Sequence, residues 1–308
     1  MTVGQAGEFE VVRQITARLG PAGQVLIGPG DDAAVVAAPD GRVVATTDVL
    51  VEDRHFRRTW SSGYDIGRKA AAQNFADIAA MGAVPTALLV GLACPPDTAL
   101  DWIGQLTEGL RDEAARTGAA VVGGDVVRGE QVTVAVTALG DLQGRPPVLR
   151  SGARVGDVVA VSGRLGWAAA GLAVLGRGFR SPAAVVAAHR RPEPPYAEGP
   201  RAAGAGATSM IDISDGLTQD LAHVAAASAV AIELRRAAFD IPQRLRDVGA
   251  ALGVDPYNWV LGGGDDHALA ATFTGDPPPG WLVIGDVMDG EGVTVDGEPY
   301  TAGHDHFG

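Results

Sequence analysis

Aspartate is the residue type best placed to do chemistry in this chain, because it recurs in one local setting. Asp31 and Asp32 follow Gly28-Pro29-Gly30, Asp48 stands in "TTDVL", and Asp125 closes "VVGGD". Asp212 and Asp215 lie in "IDISD", and Asp265 and Asp266 follow "LGGG". Each falls at a strand edge or a tight glycine turn, where small neighbours let a ligand come close to the backbone. Asp77 is on a helical stretch instead, with Asn74 on the same face. Carboxylates gathered in one cleft repel strongly unless cations separate them. Oxygen donors in a chain with one cysteine and six histidines suit Mg²⁺ or Mn²⁺ rather than zinc. Taken singly, any of these aspartates reads as an ordinary turn or cap residue. The set points to divalent cations, provided the fold brings it together.

An anionic ligand would have to be held by such cations, by arginine or by backbone N–H groups. The chain has a single lysine, Lys69, preceded by "DIGR", so the phosphate-binding pattern G-x-x-x-x-G-K cannot be written anywhere. The protein-kinase catalytic loop is missing too, since "HRRPEPP" at 189–195 has arginine where its aspartate would stand. Arg150, beside a glycine turn in "LRSGARVG", is placed either to clamp a phosphate with two parallel bonds or to stand as an exposed structural arginine. In "IDISDGLTQDL" a strand turns through Ser214-Asp215-Gly216 into a helix. The free N–H groups of that helix could take an anion, or one of these side chains could cap it.

The elements that must position these residues follow from periodicity and punctuation. Phe9, Val12, Ile15 and Leu19 at helical spacing predict an amphipathic helix over 8–20, stopped by Gly20-Pro21. "VLIG" and "RVVATTDVLV" read as strands on either side of the Gly-Asp-Asp loop. "IGRKAAAQNFADIAAM", 66–81, reads as an alanine-rich helix ended by Gly82 and Pro85, and "ALLVGLAC" as a buried strand. "DTALDWIGQLTEGLRDEAARTG" predicts a helix capped by Asp97 or Thr98 and stopped by Gly118. "AAVVGGDVV" and "QVTVAVTALG" predict a hairpin around "RGE". Proline and glycine cluster in "GRPPVLRSGARVGD", which sets the expected domains at 1–148 and 149–308.

The second half reads as a strand at 157–162 and helices near 166–176, before "RRPEPP", and near 196–205. The strand "TSMIDI" then feeds the helix "LTQDLAHVAAAS". After "AIEL" and a helix near 242–252, "NWVLGGGDDHALAATF" turns on three glycines into a strand, and "WLVIGDV" and "GVTVDG" are the last two strands. Strict β-α-β alternation is absent, so the fold class expected is α+β, with two α/β-layered halves rather than one doubly wound sheet.

Bulk properties exclude several function classes. The 308 residues suffice for a substantial core and fit two domains better than one. A net charge of −13 argues against a nucleic-acid or anionic-membrane partner, either of which needs a basic footprint. No apolar run approaches the roughly 20 residues that cross a bilayer, and "MTVGQAGEFEVV" lacks the pattern of a signal peptide, so a cytoplasmic location is expected. Cys94 is the lone cysteine and reads as a small core residue. His304 and His306, flanking Asp305, read as part of a polar tail rather than as a metal site.

In order along the chain, "GPGDDAAVV", "ATTDVLVEDRHF", "NFADIAAMGA", "VVGGDVVRG", "LRSGARVGD", "IDISDGLTQDL" and "GGGDDHAL" resemble the successive motifs of the thiamine-monophosphate kinase family. They span residues 28 to 269; each is weak alone, and seven in order are specific. That family shares a superfamily with aminoimidazole ribonucleotide synthetase, selenophosphate synthetase and a hydrogenase-maturation dehydratase. The resemblance implies a homodimer whose N-terminal halves form a dimeric β-barrel core, a C-terminal α/β sandwich, and nucleotide held between the halves. It also implies that Asp32, Asp48, Asp77, Asp125 and Asp212 bind magnesium, that Asp215 holds a further ion, and that Thr46 and Thr47 add oxygen ligands. Gly124, Asp125, Arg150 and Ser214 match positions that hold ATP. His55 and Asp265 match positions that contact thiamine monophosphate, and His304 stands near the family's substrate-packing aromatic.

The implied reaction moves the γ-phosphoryl group of ATP onto the phosphate of thiamine monophosphate, the last step of thiamine diphosphate synthesis. The acceptor oxygen is already ionised, so no general base is expected, and Mg²⁺ ions would offset repulsion between the two anions. Two departures fall on the acceptor side. The family commonly writes Gly-Gly-Glu-Asp-Tyr-Glu-Leu where this chain has "GGDDHAL", and His304 stands where an indole is usual. Within the superfamily, the hydrogenase-maturation reading lacks its C-terminal cysteine in "HDHFG", and the selenophosphate reading lacks a cysteine before Cys94. The rivals left are an aminoimidazole ribonucleotide synthetase-like enzyme and a non-catalytic nucleotide sensor.

Overall fold

In the computed structural model, residues 1–6, 8–19, 24–27 and 34–300 are described. The chain forms two units, Met1–Ile78 with Val84–Gly144, and Ala79–Ala83 with Arg145–Gly308. Both are mixed α/β.

The first unit opens with two short helices, α1 (Val3–Ala6) and α2 (Glu8–Thr16), and a small antiparallel pair, β1 (Val25–Ile27) and β2 (Val35–Val36). Its main sheet comprises β3 (Val44–Val51), β4 (Val84–Cys94), β5 (Ala120–Arg128) and β6 (Thr133–Asp141), in the order β3-β6-β4-β5. Among the described residues this sheet is open, with β3 and β5 at its edges. Along β6 the residues Val134, Val136 and Ala138 are fully buried while Thr133, Ala135 and Thr137 are half-exposed, the alternation of a sheet covered on one face.

Helices α3 (Gly63–Ala80) and α4 (Leu100–Ala115) cover the buried face. A reciprocal cap starts α3: Ser62 N–H donates to Asp65 Oδ2 at 3.0 Å, and Asp65 N–H donates to Ser62 Oγ at 3.2 Å. The two helices touch backbone to backbone, because a Cβ at Gly67 would lie 2.2 Å from Leu106 O and one at Gly109 2.2 Å from Tyr64 O. Between them Glu113, with no exposed surface, pairs with Arg68 and, at 2.9 Å, with Arg116.

Two sequence expectations fail in this unit. Helix α4 is not capped by Asp97 or Thr98; its N-cap is Ala99, and the Leu100 N–H is taken by the Met1 carbonyl at 3.0 Å. Strands β5 and β6 do not form a hairpin. Strand β4 lies between them, pairing parallel with β5 and antiparallel with β6. The α4 crossover permits the parallel pairing, and the "RGE" turn bridges the end of β4, with Gly129 N–H on Cys94 O at 3.0 Å. Periodicity identified the strands; it carried no information on their neighbours.

The second unit is built on seven strands: β7 (Val158–Ser162), β8 (Ser209–Ile213), β9 (Ala231–Leu234), β10 (Ala268–Phe273), β11 (Leu282–Met288), β12 (Gly292–Val295) and β13 (Glu298–Pro299). Their order is β13-β12-β9-β11-β7-β10-β8. Among the described residues of this sheet, β12 and β9 are the one parallel pair. Every residue of β8 and β10 is buried, as continuous small and apolar runs require in strands covered on both faces. The helices are α5 (Trp167–Gly176), α6 (Ala183–Arg190), α7 (Glu198–Gly204), α8 (Leu217–Ser228), α9 (Gln243–Leu252) and α10 (Pro256–Gly262). One core cluster gathers Met210, Leu269, Phe273 and Trp281 with Ala79 and Ala80, the last two residues of α3. No helix among the described residues is long and apolar enough to cross a membrane.

Candidate active site

In the first unit, strand β3 presents its oxygens on two faces. Thr46 and Asp48 share the helix-covered face with Leu50, and Thr46 Oγ1 donates to Asp77 Oδ2 of α3 at 2.7 Å. Thr47 points the other way. Its hydroxyl donates to Val136 O at 3.0 Å and accepts from Thr137 Oγ1 at 3.0 Å, both on β6. Asn74 is fully buried, with its amide on Ala70 O at 2.9 Å. His55 lies just past β3, where its Nδ1 accepts the Val51 N–H at 3.0 Å and its carbonyl accepts from the buried Lys69 at 3.4 Å.

Gly124 and Asp125 lie on β5, at the opposite edge of the sheet. A Cβ at Gly124 would fall 2.0 Å from Val90 O, so the glycine is required by the strand pairing itself. The two residues also line a cavity of about 930 Å³ between α2, α4 and β5, walled by Ile15, Leu106, Leu110 and Val121. That is ample room for a small ligand. Register puts Asp48, Val136, Val90 and Gly124 in one row across four strands. Three strand spacings separate the ends of that row, roughly 14 Å. One ion cannot be reached by both ends of this row within one chain.

In the second unit the "SDG" and "GGGDDH" segments are zipped together. Asp265 N–H donates to Ser214 O at 2.8 Å and His267 N–H to Ile213 O at 2.9 Å. A Cβ at Gly264 would sit 2.2 Å from Ser214 O. Asp265 and His267 both adopt positive φ, 67° and 53°, an uncommon conformation for residues other than glycine that surrounding structure must enforce. Asp212, buried on β8, meets His267, with Oδ2 and Nδ1 3.0 Å apart. Asp265 is partly exposed and faces the buried His189 of α6 at 4.0 Å. Arg150 is exposed in a short 3-10 turn whose carbonyl accepts from Ser228 Oγ at 2.8 Å.

The turn leading into α8 is held by a residue further along. The N–H groups of Asp215 and Gly216, just ahead of the helix, both donate to Asp220 Oδ2 at 3.0 Å, and the N-cap Gly216 supplies no side-chain cap to the first turn. Burial, and next the charge of Asp212, push the Asp220 carboxyl up from 3.8 to about 7. Asp266 caps another helix: its Oδ1 accepts the Ala168 N–H at the start of α5 at 2.9 Å. Burial drives its carboxyl up from 3.8 to about 7 as well. Asp220, His267 and His189 were not picked out from the sequence as site residues, and Asp266 was counted among the turn aspartates without a role of its own. Only Asp220 carried a local signal, standing four residues after Gly216.

Asp32 and His304 lie outside the described residues. Among the described residues, no three or more histidine, cysteine, aspartate or glutamate side chains are grouped so as to hold one metal ion. The donors that do meet are pairs of oxygens, such as Thr46 with Asp77. This fits Mg²⁺, which typically uses one or two carboxylates and completes its octahedron with water and substrate phosphate.

The N-terminal domain of AIR synthase related proteins matches residues 30–142. Over 312 aligned residues the chain is 52% identical to the thiamine-monophosphate kinase of Mycobacterium tuberculosis, covering 100% of this chain and 93% of that one. The Corynebacterium glutamicum thiamine-monophosphate kinase is 41% identical over 93% of this chain and 87% of its own. Among solved structures, the thiamine-monophosphate kinase of Stenotrophomonas maltophilia K279a aligns with a TM-score of 0.81 at 33% identity, over 94% of this chain and 95% of that one. AaThiL complexed with AMPPCP and TMP aligns with a TM-score of 0.82 at 31% identity, over 100% and 99%. The fold is thus that of the AIR-synthase-related proteins. Within them, the chain belongs to the thiamine-monophosphate kinase family.

Proposed function

We infer that this chain is an ATP-dependent kinase that phosphorylates thiamine monophosphate to thiamine diphosphate. The observation that carries this reading is its 52% identity, along its whole length, to a thiamine-monophosphate kinase. AMPPCP, an ATP analogue, and TMP held together by AaThiL are the matching reactant pair. Transfer joins two anions, so the difficulty is repulsion and alignment rather than activation of the acceptor, whose phosphate oxygen is already ionised. Magnesium, when bound, would neutralise phosphate charge and fix the line of transfer.

The residues proposed to hold it are Asp32, Thr46, Thr47, Asp48, Asp77, Asp125, Asp212 and Asp215. Gly124, Asp125, Arg150 and Ser214 are proposed to bind ATP, and His55, Asp265 and His304 the thiamine substrate. The 2.7 Å bond from Thr46 to Asp77 supports the first set by orienting one carboxylate towards the strand face that also carries Asp48.

A homodimer with a shared β-barrel is part of the proposal. Val49, Leu89 and Val127 leave 46%, 40% and 51% of their surface exposed on the sheet face away from α3 and α4. Among the described residues, both edges of that sheet are unpaired by other strands, the kind of edge proteins normally cover. A second copy would meet both needs and bring another chain's β5 towards β3. Val49→Asp should convert a dimer to a monomer in sedimentation; a wild-type chain that sediments as a monomer refutes this part.

The activity is tested by incubating purified protein with ATP, Mg²⁺ and, separately, thiamine, thiamine monophosphate or formylglycinamidine ribonucleotide. ADP and thiamine diphosphate are expected with the second alone. Turnover only with the third would replace this reading by the purine one, and ATP binding without turnover by the sensor.

A further inference from the structure

We propose that His267 is a positioning residue for the reaction, holding Asp212 in the orientation that presents its carboxylate to a divalent cation. The inference rests on the reading of Asp212 as a magnesium ligand. His267 immediately precedes β10, whose Leu269 pairs with Asp212 across the β10–β8 ladder, and its left-handed backbone lets the ring reach that aspartate. Both are buried, and Asp212 Oδ2 lies 3.0 Å from the imidazole Nδ1. An ionised carboxylate can only accept, so the imidazole donates and its proton sits on Nδ1.

The backbone is committed to this contact. His267 holds φ at 53°, and its N–H is fixed on Ile213 O at 2.9 Å, so the ring's origin is locked beside the strand that carries Asp212. One carboxylate lobe is then engaged and rotation about the last side-chain bond is stopped, which leaves Oδ1 set for a cation. Groups that orient a metal ligand in this way commonly contribute 10–100-fold to metal affinity.

The test is Mn²⁺ binding to the full-length chain, followed by the electron paramagnetic resonance of the free ion, with circular dichroism as the check of folding. His267→Leu should weaken Mn²⁺ binding by about tenfold or more. His267→Asn, whose amide nitrogen takes the place of Nδ1, should restore affinity close to that of the wild type. In an Asp212→Asn background, His267→Leu should cause no further loss. Should the leucine variant fail to fold, His267→Gly, which suits the left-handed backbone, replaces it. Wild-type affinity in His267→Leu together with weakened binding in Asp212→Asn would overturn the role of His267. Wild-type affinity in Asp212→Asn would overturn the assignment of Asp212 itself.

Discussion

Replacing Asp266 by asparagine should reduce the pH dependence of stability of the second unit, leaving the share that comes from Asp220. The carboxyl caps α5 through Oδ1, and burial raises its pKa from 3.8 to about 7. A raised acid favours the protonated form in the folded state, so its contribution is fully present below the unfolded value. It is lost as pH climbs through about 7. The whole shift corresponds to roughly 4 kcal/mol. Between pH 5.5 and 8.5, a window kept above the isoelectric point of about 4.8, the wild type should lose about 2 kcal/mol from this one group. Asparagine keeps the acceptor for Ala168 N–H and cannot ionise, so the variant should lack that loss. Urea unfolding of both proteins at the two pH values, read from tryptophan fluorescence, measures the difference. Equal changes in wild type and variant would show that Asp266 does not hold its proton in the folded chain, and the capping argument would need a charged acid.

Other perturbations probe the remaining parts. Asp48→Ala should abolish thiamine diphosphate formation while leaving the circular dichroism spectrum unchanged; retained activity would remove Asp48 from the magnesium set. Glu113→Ala leaves Arg68 and Arg116 without their buried partner and should cost about 3–5 kcal/mol in chemical denaturation, against near-neutrality for an exposed pair. Gly124→Ala places a methyl 2.0 Å from Val90 O and should destabilise the β4–β5 pairing by about 1–3 kcal/mol, seen as a lowered melting temperature.

Much of the fold was legible because its signals are local. Glycine with positive φ ends α3 at Gly82 and stands at Gly118 just past α4, and the alanine-rich run over 66–81 is a helix because small residues let it pack at backbone distance. What the sequence did not carry was adjacency. The strands on either side of "RGE" look like a hairpin from any window of 20 residues, and only the crossover through α4 puts β4 between them. The site divides in the same way. The family-marked positions were readable by resemblance, and the structure adds which of them share a face: Thr46 and Asp48 do, and Thr47 does not. The partners of His267 and Asp266 were hidden, since nothing local to "GGGDDH" says that one side chain will reach a carboxylate 55 positions earlier and the other a helix start 98 positions earlier.

The closing turn of α3 has a consequence for where the chain can be cut. Ala79 and Ala80 are encoded in the first third of the chain yet are walled in by Met210, Leu269 and Trp281. A fragment starting at residue 145 would leave an apolar hole in its own interior, and one ending at residue 144 would carry a greasy helical stub. A cut at the obvious midpoint therefore separates the second unit from part of its own core.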